Sequence, residues 1–326
     1  MEKKYFSKLG LMYFIGAIVI YVVQLVGIGI GNAVMPMYMA DGNIYTASYM
    51  LPMYLIGYPI MIALIKRVPV EKESIEKKKM TLGQGVVAFI MSYALVYLSG
   101  QVGNIVTSII SIFKQSQVDN VILNVTMELN TFTTILFMVI CAPIMEEIIF
   151  RKLLIDRAAK YGEGLAILLS GAMFGLFHAN LNQFVFTFVM GCFYGFIYTR
   201  TRNVVHTILL HMVNNFISSI IAMFVLRESG MLELATATES ASMEELTTMM
   251  MSNVSGLVLY FVYLVLLLAL VIAGVVLLIV KRKKFTVNHT QEELPKGKRF
   301  STVFLNVGMG LFCVLMIVQI ILQLLA

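Results

Sequence analysis

Charge-free apolar runs of bilayer length recur from one end of this chain to the other, and they leave it few ways to fold. About 20 apolar residues cross a bilayer as a helix. Uncharged windows of that order cover 9–40, 42–65, 80–113, 129–145, 164–199, 203–226, 246–280 and 300–326, with histidine counted as uncharged. Charged residues make up 13% of the 326 and hydrophobic ones 59%, whereas soluble domains carry about 25% charged. Too few polar side chains remain to cover a water-facing surface. This excludes a disordered chain, a disulfide-stapled miniprotein and an ordinary cytosolic enzyme. The expected fold is all-α: a polytopic transmembrane helical bundle of about eight or nine membrane segments, one integral membrane domain over 1–326. The window 164–199 is long enough for a hairpin. Its middle, His178-Ala179-Asn180-Leu181-Asn182-Gln183, is polar and turn-like. The first arm, 165–177, is short, so the hairpin either spans or re-enters; both return the chain to the same side.

The net charge of +6 would suit nucleic acid if it gathered on a soluble face, but it is spread over loops. Three basic residues precede the first span. Six lie in 66–79, four in 151–160, two at Arg200 and Arg202, and seven in 281–299. These 22 of the 24 alternate with nearly uncharged segments, leaving Lys114 and Arg227 for the other side. The loop around Glu233, Glu239, Glu244 and Glu245 is acidic. Basic loops stay in the cytoplasm, so the expected placement is a multi-pass cell-membrane protein with its N-terminus cytoplasmic. About nine crossings put its C-terminus outside. The lipid bilayer is then a partner and nucleic acid is not. No cleavable leader is expected, because the first apolar run is long and lacks a small-residue exit. No internal repeat is evident. Segments 68–79 and 285–299 read as cytoplasmic loops. Cys141, Cys192 and Cys313 are scattered in apolar stretches and read as packing residues.

An ionisable side chain at membrane depth is costly unless paired or hydrated. Most of the chain avoids it; Ala142-Pro143-Ile144-Met145-Glu146-Glu147-Ile148-Ile149-Phe150-Arg151 does not. Glu147 and Arg151 are i, i+4 with the acid first, the favourable order for an ion pair. Glu146 points about 100° away. One carboxylate is thus neutralised while the other stays free; alternatively, both simply mark the membrane surface. Pro143 tends to kink the helix, which could widen a cavity. Phe174 and His178 share a face, as do His211 and Asn215. An antiparallel hairpin turning at Gly162 sets Glu146 and His178 at matching depth. Gly171-x-x-x-Gly175 and Gly191-x-x-x-Gly195 are small-residue packing faces. His206 reads as interfacial and His289 as solvated.

One Glu-Glu-x-x-x-Arg, one Phe-x-x-x-His and one His-x-x-x-Asn, in that order on consecutive membrane helices, resemble the CAAX-protease and bacteriocin-processing (Abi) family, relatives of the type II CAAX prenyl endopeptidases. The resemblance covers about 129–220, the expected catalytic core helices. It implies an intramembrane endopeptidase in which Glu146 is the catalytic carboxylate and His178 helps it activate a water. His211 and Asn215 would hydrogen-bond the substrate carbonyl as its oxyanion develops, with Glu147, Arg151 and Phe174 in support. The residue types suit the chemistry: hydrolysis needs a base for water and donors for the developing charge. Glu146, His178 and His211 could alternatively hold Zn²⁺ with water as fourth ligand. The missing His-Glu-x-x-His favours a cofactor-free glutamate mechanism. The expected partner is a peptide or protein substrate at the membrane, whether a membrane-associated peptide or a CaaX-like protein. The site is expected to open toward the cytoplasm. Two other functions fit polar residues in a membrane: a transporter, and a non-catalytic immunity or sensor-partner protein. Oligomeric state is not legible.

Overall fold

Within residues 1–70, 77–237, 242–290 and 292–325, which the computed structural model describes, the apolar windows fold into helices and no strand forms. Glu239 of the acidic loop and positions 71–76 of the first basic loop lie outside the described residues. The bundle helices are α1 Glu2–Val34, α2 Gly42–Lys66, α3 Leu82–Lys114, α4 Thr131–Tyr161, α5 Glu163–Phe177, α6 Leu181–Thr201, α7 Val204–Glu228, α8 Val254–Lys284 and α9 Val307–Leu325. All but α5 are long and apolar enough to cross a membrane. The fold is a polytopic all-α membrane bundle, as the apolar windows predict.

Local chemistry starts these helices where it is expected to. Thr81 and Gln84 close a reciprocal capping box at α3. Asp41 accepts the N–H groups of Asn43 and Ile44 at α2, which holds its exposed carboxyl below the usual range. Asn180 caps α6 through Gln183 N–H. Gly162, at φ 135°, makes the expected turn between α4 and α5, a conformation that glycine reaches without a Cβ clash.

Hydrogen bonds between loops sort the helix ends into two groups. At one end Tyr5 Oη donates to Pro69 O and Arg157 O. Lys78 N–H donates to Thr201 O and Leu294 N–H to Tyr161 O. At the other, Asn130 N–H donates to Asn43 Oδ1, Arg227 Nη2 to Met127 O and Gln323 Nε2 to Asp119 O. The basic segments share the first end and the chain termini lie at opposite ends.

Helix α6 packs on α5 and α3, α7 on α3 and α4, and α1 on α2 and α9. The α5–α6 hairpin stops inside the bundle. Asn182 Nδ2 donates to Thr107 Oγ1 at 3.2 Å, while α3 runs on to Lys114. Lipid is as apolar as leucine, so close backbone approach must hold such helices together. A Cβ on Gly191 would lie 2.8 Å from Gly171 Cα; one on Gly171 would lie 2.9 Å from Phe188 O. Gly171→Val should therefore destabilise the chain by about 1–3 kcal/mol through overpacking. Gly310→Ala meets nothing within 4 Å and should be neutral or stabilising. Thermal unfolding in detergent compares the two; equal midpoints would contradict the packing argument. Cys141, Cys192 and Cys313 are unpaired and half-buried.

Candidate active site

Pro143 shapes the backbone around Glu146. Residues Ile135–Cys141 of α4 are wound as π-helix, and Ala142 N–H reaches back five residues to Phe137 O. Proline has no N–H to offer Met138 O. Asn215 of α7 fills that gap, its Nδ2 donating to Met138 O at 2.8 Å. Tyr54 Oη of α2 donates to Phe137 O at 3.1 Å. A second π segment, Ile148–Leu153, follows the carboxylates. There Tyr13 Oη donates to Ile149 O and Ser170 Oγ to Phe150 O, both at 2.7 Å. Two widened segments thus bracket Ala142–Glu147 and expose carbonyls that tie α1, α2, α5 and α7 to α4. Single π turns of this kind are frequent at functional sites.

Glu147 and Arg151 are both fully buried, at 0% exposure. Arg151 Nε lies 3.0 Å from Glu147 Oε2, and its Nη2 donates to Oε1 at 3.1 Å. Arg151 Nη1 also donates to Ser170 Oγ at 3.1 Å, and its guanidinium sits 4.4 Å over the Phe174 ring. Glu147 Oε1 faces His211 Nδ1 at 3.1 Å. An ionised carboxylate only accepts, so Nδ1 carries the proton. Glu147 thus orients His211, where the motif alone suggested support of Glu146. His211 Nε2 then faces Glu146 Oε2 across 3.8 Å, too long for a hydrogen bond.

His178 ends α5. Its Nδ1 lies 2.9 Å from Phe174 O; a carbonyl only accepts, so Nδ1 donates and Nε2 is left free. The His178 ring meets Phe174 edge-to-face at 4.8 Å, and the His211 ring does so at 6.0 Å. Phe174 therefore touches Arg151 and both histidines. Glu146, His178, His211 and Asn215 line one cavity of about 540 Å³, within the usual range for ligand sites. Glu146 itself is 9% exposed.

The lining of this cavity does not run toward the basic end, where the opening was expected. Glu146 lies midway along α4, 15 residues from either end, or about 20 Å. Beyond it toward the basic end, Ile149, Phe150 and Arg151 are fully buried. Arg157 donates to Val68 O, and Arg200 forms a double ion pair with Glu163 at 2.9 and 2.8 Å. In the expected loop 285–299, Asn288 N–H donates to Glu163 and Thr290 Oγ1 to Lys160 O at this end. The cavity lining instead reaches Asn120, Leu123 and Leu226 at the basic-poor end.

Among the described residues no three His, Cys, Asp or Glu side chains converge closely enough to hold a metal ion. His206 sits at the basic end, its Nε2 accepting Met80 N–H at 3.3 Å, and His289 is exposed beside Glu293. Four supporting residues escaped the motifs. Ser170 was legible, since Ser170, Phe174 and His178 recur every fourth residue on one face. Asn214 was hidden beside Asn215; its Nδ2 donates to Ser92 Oγ at 2.9 Å and Tyr194 Oη at 2.8 Å. No local pattern marks Tyr194 or Ser92.

Residues 128–217, about a quarter of the chain, match a family described as type II CAAX prenyl endopeptidase Rce1-like. The resemblance drawn from the three motifs is borne out by this match. The chain is also similar to YdiL of Bacillus subtilis (strain 168), provisionally named a membrane peptidase, with 29% identity over 162 residues. That similarity covers 48% of this chain and 65% of the relative, less than two thirds of its length. No solved structure matches the chain.

Proposed function

We propose that this protein is an intramembrane endopeptidase that hydrolyses a peptide bond with a water activated by Glu146. One observation carries the reading. Glu146 lines the cavity with His178, His211 and Asn215, while its neighbour Glu147 is consumed by Arg151 and His211. The similarity to a named membrane peptidase and to the Rce1-like family supports the same activity.

In this mechanism Glu146 takes a proton from water as the hydroxide oxygen attacks the scissile carbonyl carbon. His178 Nε2 accepts the second water hydrogen and orients the attack. Negative charge develops on the carbonyl oxygen. His211, oriented by Glu147 behind Nδ1, turns Nε2 toward that oxygen. The second N–H of Asn215 Nδ2 donates beside it. The carbon–nitrogen bond then breaks, and Glu146 returns its proton to the leaving amine. The Arg151 guanidinium pairs with Glu147, which limits the cost of burying both.

The test is cleavage of a pooled quenched-fluorescent peptide library by purified, reconstituted protein. His178→Ala and His211→Ala should each nearly abolish it. Asn215→Ala should lose about 10²–10³ in rate, as removal of an oxyanion donor does elsewhere. Chelators should leave the rate unchanged. Stoichiometric zinc, with activity lost on its removal and restored on its return, would instead establish a metallopeptidase.

A further inference from the structure

The cavity's position and lining say more than its catalytic groups do. Toward the basic end lie the buried Ile149–Arg151 segment and the Glu163–Arg200 pair, none of them in its lining. Its walls extend toward Asn120 and Leu226 at the end that carries only two of the 24 basic residues. Basic segments stay in the cytoplasm, so the open end is external.

The walls lack lysine, arginine and aspartate, and Glu146 is their one glutamate. Five methionines, Met50, Met53, Met138, Met190 and Met223, supply apolar surface that adapts to differing side chains. Between them stand uncharged amides. Asn182, 6% exposed and in the lining, has a buried Oδ1 with no hydrogen-bond partner among the described residues. A buried acceptor left unpaired costs about 1–3 kcal/mol, and a peptide N–H would relieve it. Away from Glu146, His178 and His211, a charged side chain would find no counter-ion on these walls.

We propose that the cavity admits an extended, uncharged, apolar peptide segment from the external face of the membrane, with Asn182 accepting a backbone N–H. This rests on the proposed endopeptidase function and assigns its substrate class. The scissile segment must be unfolded: the reach of about 20 Å to Glu146 takes about six extended residues at 3.3 Å each. A substrate presented wholly in the cytoplasm does not meet this opening.

Site-directed labelling of the full chain in intact cells tests it. Cys141, Cys192 and Cys313 are replaced by alanine, and Asn104→Cys or Leu226→Cys is introduced on the cavity wall. A membrane-impermeant maleimide should label both from outside. A pool of uncharged methionine- and leucine-rich octapeptides should slow labelling of Asn104→Cys several-fold. The same pool with lysine or aspartate at its centre should not. Labelling only in inverted vesicles, or equal protection by the charged pool, would overturn the proposal. If labelling behaves as expected but purified protein cleaves no peptide, the endopeptidase reading falls and the external peptide cavity stands. If cleavage is normal but labelling comes from the cytoplasmic side, the reading stands and this inference falls.

Discussion

Glu146→Gln is expected to lower peptide cleavage by at least about 10³-fold while leaving the protein folded. General-base catalysis alone contributes about 10²–10⁴, and no second carboxylate lines the cavity to replace it. Glutamine keeps the shape and cannot take the proton. Folding should survive because His211 Nε2 stands 3.8 Å away and forms no hydrogen bond with Glu146. Steady-state cleavage and thermal unfolding on one preparation check both halves. Full biological activity in Glu146→Gln would remove the enzyme reading and favour a membrane immunity or sensor-partner protein.

Arg151→Ala should act through stability. It strands the Glu147 carboxylate at 0% exposure. Breaking a buried pair by removing one partner costs about 3–5 kcal/mol. Ser170 Oγ loses its donor and Phe174 its guanidinium as well. Replacing both partners, Glu147→Leu with Arg151→Met, should recover most of that loss, since an apolar pair needs no desolvation. Activity should not return, because His211 Nδ1 then has no carboxylate to orient it. Unfolding midpoints of the single and double variants, with cleavage rates alongside, measure the difference. A double variant as unstable as Arg151→Ala would contradict the buried-pair argument.

Much of this arrangement is legible in the sequence. Charge-free windows locate the helices, because a membrane helix needs length and apolarity more than any particular partner. The spacing of Glu147 and Arg151 predicts their pairing, because i, i+4 contacts are local. Equal counts on either side of Gly162 set Glu146 and His178 at one depth for the same reason. What stayed hidden depends on tertiary contact. The π segments around Glu146 arise where freed carbonyls meet Asn215, Tyr54, Tyr13 and Ser170 from four other helices. Glu147 turns to His211 across 64 positions of sequence. The course of the cavity was also hidden: its lining runs from Glu146 toward Asn120 and Leu226, while Arg157, Glu163 and Arg200 pack the basic end.

The central claim is that Glu146, His178, His211 and Asn215 act together on one peptide carbonyl. An experimental structure of the Glu146→Gln variant with a bound uncharged peptide tests it most directly. The account predicts a peptide carbonyl oxygen within about 3 Å of both His211 Nε2 and Asn215 Nδ2, with a water between the residue-146 side chain, His178 and the carbonyl carbon. A peptide seated elsewhere in the cavity, with its carbonyls out of reach of His211 and Asn215, would contradict it.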